Sequence, residues 1–164
     1  MRLELVSLLK IQISTNPIEL DDYSSNSYAV YCAANNEQKL FIYFKPDEMR
    51  ATEPRCDYIL VCDEDKTVRF IELKGSDLYY TCKNGCKSEW QHAFHQLLAT
   101  YEAYTVYIDS EKDLVKMLLC TSAYRDRNDM RRSSTRYKQY KYYKKALIYG
   151  ITPSVLYRDE IDEL

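Results

Sequence analysis

Two short apolar segments with the pattern of β-strands lie near the middle of the chain. Residues 58–62 (Tyr-Ile-Leu-Val-Cys) and 67–73 (Thr-Val-Arg-Phe-Ile-Glu-Leu) are rich in β-branched and aromatic residues. The charged residues 63–66 between them are few enough to form a hairpin loop. The pattern therefore predicts two neighbouring antiparallel strands.

Three further segments are predicted to be strands. Residues 28–33 and 40–44 flank a turn at Asn35 and Asn36, and residues 115–120 form a third apolar segment. Polar connections containing proline are expected at residues 14–27 and 45–55. Residues 2–12 fit either a short helix or a strand, since their periodicity does not separate the two.

The clearest helix is predicted at residues 88–107. Ser88 is a suitable N-cap, and apolar residues recur at spacings of three and four. This expected core face contains Ala93, Phe94, Leu97, Leu98, Tyr101 and Tyr104. A second helix over residues 135–148 would bury Tyr140, Tyr143 and Leu147.

Acidic and basic residues stand at the ends of the two central strands. Asp57 precedes the first strand, and Glu72-Leu73-Lys74 ends the second after a gap of fourteen residues. Residues two apart on a strand share a face, so Glu72 and Lys74 point together while Leu73 points away. In an antiparallel hairpin, Asp57 approaches Glu72. Two carboxylates and an ammonium then converge, which is a suitable set for metal-dependent phosphodiester chemistry.

At Asp57, Glu72 and Lys74 the chain resembles the PD-(D/E)xK nuclease superfamily, which has the restriction-endonuclease-like fold. The similarity covers about residues 38–122 of a single domain and departs from the motif's name at Cys56, with Pro54 three positions before the acid. It implies an α/β fold with an αβββαβ core, in which a central mixed sheet is flanked by helices. It also implies a nuclease that leaves a 5′-phosphate and a 3′-hydroxyl.

The chemistry of the motif indicates a divalent metal. Mg²⁺, or Mn²⁺ in its place, prefers oxygen ligands, which Asp57, Glu72 and the carbonyl of Leu73 can supply. Lys74 would orient the attacking water or stabilise the pentavalent phosphorus. By resemblance, Gln96 on the predicted helix is a further catalytic candidate, with Gln91 as its rival and His92 nearby. A further acidic residue is expected from Glu4, Glu19 or Glu37.

Three other interpretations stay open. Glu72 and Lys74 also fit an ordinary solvated strand face, since both residue types are common at surfaces. The chain would also fit a catalytically inactive nucleic-acid-binding or assembly subunit. A zinc-stabilised interaction module is the third interpretation, although the ligand spacing differs from common zinc patterns. Its ligands would be Cys82, Cys86, His92 and His95.

Composition narrows the protein class. The chain has 164 residues, of which 46% are hydrophobic, and only three glycines and four prolines. No apolar segment reaches the roughly 18 residues of a membrane span, and no secretory leader is recognised. We therefore expect a cytoplasmic protein without a membrane partner, with its six cysteines present as thiols. Seventeen tyrosines favour an interface, such as a homodimer or a larger assembly.

Positive charge is concentrated in a C-terminal basic extension at residues 125–145. This segment contains nine Arg or Lys and two Asp, a net +7, which leaves −9 for the rest of a chain whose net charge is −2. Lysines and arginines interleaved with tyrosines can contact phosphates and bases, so we expect nucleic acid, DNA rather than RNA, as the partner. A solvated helix or an acidic protein partner is the alternative. The candidate contacts are Arg131, Arg132, Arg136, Lys138, Lys141 and Lys145.

Overall fold

The computed structural model describes residues 1–6, 8–21, 29–46, 54–75, 89–122, 138 and 140–164. The strands in these ranges, numbered along the chain, are Ile11–Ile13 (β1), Ile18–Asp21 (β2), Val30–Ala34 (β3), Phe41–Phe44 (β4), Tyr58–Cys62 (β5), Thr67–Lys74 (β6), Leu114–Thr121 (β7), Ser154–Leu156 (β8) and Asp162–Glu163 (β9). The α-helices are Glu89–Tyr104 (α1) and Lys141–Ile148 (α2). Short 3-10 turns occur at Leu3–Leu5 and Thr105–Tyr107.

The fold is α/β with a mixed central sheet. Its six strands follow the order β1-β4-β5-β6-β7-β8. Pairing is antiparallel from β1 to β6 and parallel from β6 to β8. A smaller sheet has the order β2-β3-β9. The predicted hairpin is therefore confirmed, with β5 and β6 side by side at the centre of the larger sheet.

Both faces of the central strands are buried. Val68 and Phe70 on β6 join a core cluster with the apolar face of α1. Ile71 and Leu73 join a second cluster with residues of the smaller sheet. Because each face of β6 has its own covering layer, nearly every residue of the strand is buried, including the charged Arg69 and Glu72.

The apolar face predicted for the first helix is confirmed, since all six of its residues are buried. The helix itself ends at Tyr104 and continues as a 3-10 turn, and Ser88 lies outside the described residues. The strand expected at 115–120 is β7. None of the helices in the described part of the chain is long and apolar enough to cross a membrane.

Several predicted elements differ from the structure. The connection at 14–27 contains β2, where Ile18 and Leu20 are buried and Glu19 is exposed, a four-residue alternation that was too short to recognise. The two strands predicted around Asn35 and Asn36 are confirmed as β3 and β4, and they belong to different sheets.

The chain termini also depart from expectation. Residues 2–12 contain a 3-10 turn and the start of β1, so up to residue 46 the described residues show no α-helix in the first position of an αβββαβ core. Strands β8 and β9 were not predicted. The first of them extends the central sheet beyond the expected core range of 38–122.

The second helix is shorter than predicted and exposes a different residue. It begins at Lys141, and Tyr143 is buried as expected. Leu147 is 45% exposed, because Ala146 takes the inward position one turn after Tyr143. The expectation that Leu147 faces inward is therefore wrong.

Candidate active site

The pairing of β5 with β6 brings Asp57 to the Glu-Leu-Lys segment. Tyr58 lies opposite Ile71, so the residue before β5 meets the end of β6. The backbone N–H of Leu73 donates a hydrogen bond of 2.6 Å to Oδ2 of Asp57. The carboxylate is thus fixed to the strand that carries Glu72 and Lys74.

Glu72 is a buried carboxylate held beside an ammonium group. Its side chain is 0% exposed, and its Oε1 lies 2.5 Å from Nζ of Lys74. Alternation along β6 places both residues on the face that α1 covers, while Leu73 packs in the opposite cluster. The predicted sharing of one face by Glu72 and Lys74 is therefore confirmed.

Two buried thiols, Cys56 and Cys120, lie near the carboxylates of Asp57 and Glu72. Burial raises the pKa of Cys56 well above its ordinary value, and the charges of Glu72 and Asp57 raise it further. Burial likewise raises the pKa of Cys120, with added contributions from Asp162, Asp57 and Glu72. Both thiols therefore lie in a region of negative potential. Neither is activated as a nucleophile.

Helix α1 holds the segment that precedes Asp57. Nε2 of Gln96 donates a hydrogen bond of 2.8 Å to the carbonyl of Arg55. The N–H of Cys56 donates one of 2.8 Å to Oγ1 of Thr100, whose hydroxyl donates in turn to the carbonyl of Gln96 at 2.8 Å. Two consecutive residues before the carboxylate are therefore attached to one turn of the helix.

Thr100 is a site residue that the sequence analysis missed. It is 1% exposed and lies among the apolar residues of α1. A buried threonine in a helix commonly bonds to the carbonyl four residues earlier, which explains its presence without a second partner. Nothing in the local pattern indicated that its oxygen also accepts from a distant strand.

Among the helix residues considered as catalytic candidates, Gln96 contacts this segment through its hydrogen bond to the carbonyl of Arg55. Its Oε1 is buried, with no hydrogen-bond partner in the described part of the chain. Gln91 is half-buried and His92 is exposed. The ring of His95 stacks instead on Tyr142 of α2, with centroids 4.2 Å apart and planes 15° apart.

The three acidic residues considered as a further ligand all lie in the described part of the chain. Glu37 forms an ion pair with Lys39 at 2.7 Å, Glu19 is exposed on β2, and Glu4 is exposed in the first 3-10 turn. Among the described residues, no group of three or more His, Cys, Asp or Glu is placed to hold a metal. Cys82 and Cys86 lie outside those residues, so the zinc alternative stays a prediction.

Asp57 and Glu72 nevertheless suit a hard divalent cation. Carboxylate oxygens are the ligand type that Mg²⁺ and Mn²⁺ prefer, and Mg²⁺ usually takes only one or two carboxylates from a protein. The two side chains thus fit such an ion in donor type.

The basic segment is described only in part. Arg131, Arg132 and Arg136 lie outside the described residues. Lys138 and Lys141 are exposed, as expected for phosphate contacts. Lys145 instead lies 2.6 Å from Oε1 of Glu102.

Glu102 is held in its charged form at the junction of the two helices. The hydroxyl of Tyr149 donates to its Oε1 at 2.8 Å. Partial burial opposes ionisation of Glu102, but the hydrogen bonds from Lys145 and Tyr149 outweigh it and lower the pKa. Lys145 is therefore largely neutralised within the fold.

Comparison of the chain with protein-family models, with curated proteins and with solved structures finds no match.

Proposed function

We propose that this protein is a metal-dependent nuclease of the PD-(D/E)xK type that hydrolyses phosphodiester bonds of DNA. The observation that carries the proposal is the hydrogen bond from the N–H of Leu73 to Asp57. It joins a carboxylate on one strand to a buried carboxylate and an ammonium group on the next. These are the three charged side chains that the motif requires.

The order of elements gives independent support. Strands β4, β5 and β6, helix α1 and strand β7 follow one another along the chain and are neighbours in space. This order is the one expected for the β-β-β-α-β part of the proposed core, with Asp57 before the second of these strands and Glu72 on the third. The covering of Glu72 by the helix of the same unit agrees with that arrangement.

In the proposed reaction, Asp57, Glu72 and the Leu73 carbonyl would hold Mg²⁺ or Mn²⁺, which when bound acidifies a water and offsets phosphate charge. A water oxygen adds to phosphorus and gives up a proton to solvent, while the bond from phosphorus to the 3′ oxygen breaks and that oxygen takes up a proton to leave as a 3′-hydroxyl. Lys74 stabilises the extra negative charge on the phosphoryl oxygens with its ammonium group. Gln96 keeps the Arg55–Asp57 segment in place through the carbonyl of Arg55.

A second candidate function is a catalytically inactive nucleic-acid-binding or assembly subunit. The specific observation in its favour is that Glu72 is 0% exposed and ion-paired with Lys74. A buried pair of this kind can have a purely structural role, in which it holds the end of β6 in place. In that case the residues would be needed for stability and the protein would bind without cutting.

Cleavage assays distinguish the two functions. Plasmid, linear duplex, single-stranded DNA and RNA would be incubated with the protein and Mg²⁺ or Mn²⁺, beside Asp57→Asn and Lys74→Gln. We expect DNA cleavage that needs the metal and falls about 100-fold or more in each variant, the usual effect of removing one electrostatic group. Asp63→Asn and Lys66→Gln, an exposed pair in the hairpin loop at the other end of β6, are matched controls.

Undiminished cleavage by Asp57→Asn and Lys74→Gln would refute the assigned site. Binding of DNA without cleavage by the wild type would favour the inactive subunit. A role in restriction, repair or defence against foreign DNA, a cytoplasmic location, and work as a homodimer or as part of a larger assembly belong to the same proposal. The tyrosine content is compatible with such an interface.

A further inference from the structure

Helix α2 carries positive charge that no acid of its own segment offsets. Between Lys138 and Ile148 the sequence has four lysines and no Asp or Glu. Lys138, which lies just before α2, and Lys141 and Lys144 on the helix are exposed, and we call these three the α2 lysines. Lys145 differs from them because Glu102 on α1 neutralises it.

The position of α2 is defined by ring contacts with α1. Tyr143 packs on Phe94 with centroids 5.5 Å apart, and Tyr142 stacks on His95 at 4.2 Å. Further along, Tyr149 lies 5.3 Å from Tyr101. The two helices therefore run in the same direction, and the first turn of α2 lies beside residues 94–95 of α1.

The same turn of α1 lies beside the candidate active site. Gln96, the residue after His95, bonds to the carbonyl of Arg55, two residues before Asp57. One helical turn thus has the acidic pair on one side and the start of α2 on another. Residues 94 and 95 point to a different side of α1 from Gln96, so the acidic pair and α2 flank the helix on different sides.

A nucleic-acid strand that crosses α1 can meet both features. A polyanion needs a positive surface to approach the acidic pair, because its phosphates and the carboxylates repel each other. The exposed lysines on the helix packed against α1 can supply that attraction.

We propose that Lys138, Lys141 and Lys144 bind backbone phosphates of DNA a few nucleotides from the bond that is cut. The inference rests on the proposed function and adds the path of the substrate over α1. The contacts are to phosphate and do not depend on base sequence. The His95–Tyr142 stack holds the first turn of α2, which carries Lys141 and Lys144, against α1.

Salt dependence of binding is the direct test. Binding of a labelled duplex would be measured in EDTA from about 50 to 200 mM salt, with no cleavage possible, for wild type and for a Lys141→Gln/Lys144→Gln variant. Each lost phosphate contact lowers the slope of log K against log salt by about 0.9. We expect the slope to fall by roughly 2 in this variant.

Two controls make the result specific. Lys66→Gln/Lys112→Gln removes the same charge from exposed lysines that pair with Asp63 and Asp109. It should leave the slope unchanged. Lys145→Gln should also leave it unchanged, since Glu102 already neutralises that lysine.

Each outcome has a distinct meaning. An equal slope change in the variant and in the Lys66/Lys112 control would overturn the inference, because binding would then follow net charge alone. Absence of duplex binding by the wild type would overturn it as well and would point to an acidic protein partner. A slope change confined to the α2 variant would sustain the inference even if the wild type shows no DNA cleavage with Mg²⁺ or Mn²⁺. That absence of cleavage would refute the proposed nuclease instead.

Discussion

Asp162 neutralises a buried arginine at the contact between the two sheets, and its removal should be strongly destabilising. Nε of Arg69, a residue 1% exposed on β6, lies 3.0 Å from Oδ2 of Asp162 on β9. The hydroxyl of Tyr31 on β3 donates to the same oxygen at 2.9 Å. The change Asp162→Ala would leave a buried guanidinium and a buried hydroxyl without this acceptor.

The expected cost follows from burial. Removing one member of a buried ion pair typically costs about 3–5 kcal/mol, because the remaining charge stays desolvated. Lys116, at 3.7 Å from Asp162, is partly exposed and loses little. The total stability of a domain is about 5–15 kcal/mol, so Asp162→Ala should remove a large part of it.

Urea denaturation of wild type and variants measures this cost. Asp63→Ala, which removes an exposed ion pair with Lys66, is the control and should cost about 1 kcal/mol or less. Adding Arg69→Met to Asp162→Ala should restore part of the stability, because no charge is then left buried while the Tyr31 hydroxyl still lacks its acceptor. A loss below 1 kcal/mol in Asp162→Ala, or no recovery in the double variant, would refute the reasoning.

Three further predictions concern the helices and the buried phenols. Thr100→Val should destabilise the protein by about 1–3 kcal/mol in urea melts because the N–H of Cys56 loses its acceptor, whereas Thr100→Ser should retain most of the stability. Gly150→Ala should lower the free energy of unfolding by about 1–2 kcal/mol by the same measurement, because φ of Gly150 is +74°. No atom lies within 4 Å of an added Cβ, so this cost is backbone strain alone. Burial raises the pKa of Tyr31 above its ordinary value, as does the Asp162 charge, and burial raises that of Tyr104 to about 12. The folded state therefore binds these protons more tightly than the unfolded state, so the contribution of the two phenols to stability is full below about pH 10 and falls above it. Melting curves between pH 8 and 12 should show a steady loss of stability above that pH. A flat profile would contradict the burial of these phenols in their protonated form.

Sequence reasoning succeeded where contacts are local. The hairpin and the placement of Asp57 beside Glu72 depend on residues at most sixteen apart, and strand alternation determines which side chains share a face. The turn at Asn35 was recognised, but the strands on its two sides pair with other strands: β3 with β2 and β9, and β4 with β1 and β5. The local pattern does not show which strands pair. The role of Thr100 is hidden for the same reason, because its partner Cys56 is forty-four residues away.

The neutralisation of Lys145 shows a different limit. Its charge was counted as available for phosphate because spacing alone does not show which acid lies opposite a helix. Glu102 occupies that position only through the packing of α2 on α1. The exposure of Leu147 has a similar origin, since the inward face depends on where the helix begins and on which residues fit against α1.

The central hairpin also has a consequence for the order of folding. The contact between Leu73 and Asp57 closes a loop of 16 residues, whereas that between Arg69 and Asp162 closes one of 93. The longer closure costs about 1.5 kcal/mol more chain entropy, at about 0.6 kcal/mol for each doubling of loop length. The pairing of β6 with β7 is parallel, so it also requires the crossover connection that contains α1. A nascent chain should therefore assemble the acidic pair early, before the lysines of α2 and the C-terminal strand have left the ribosome.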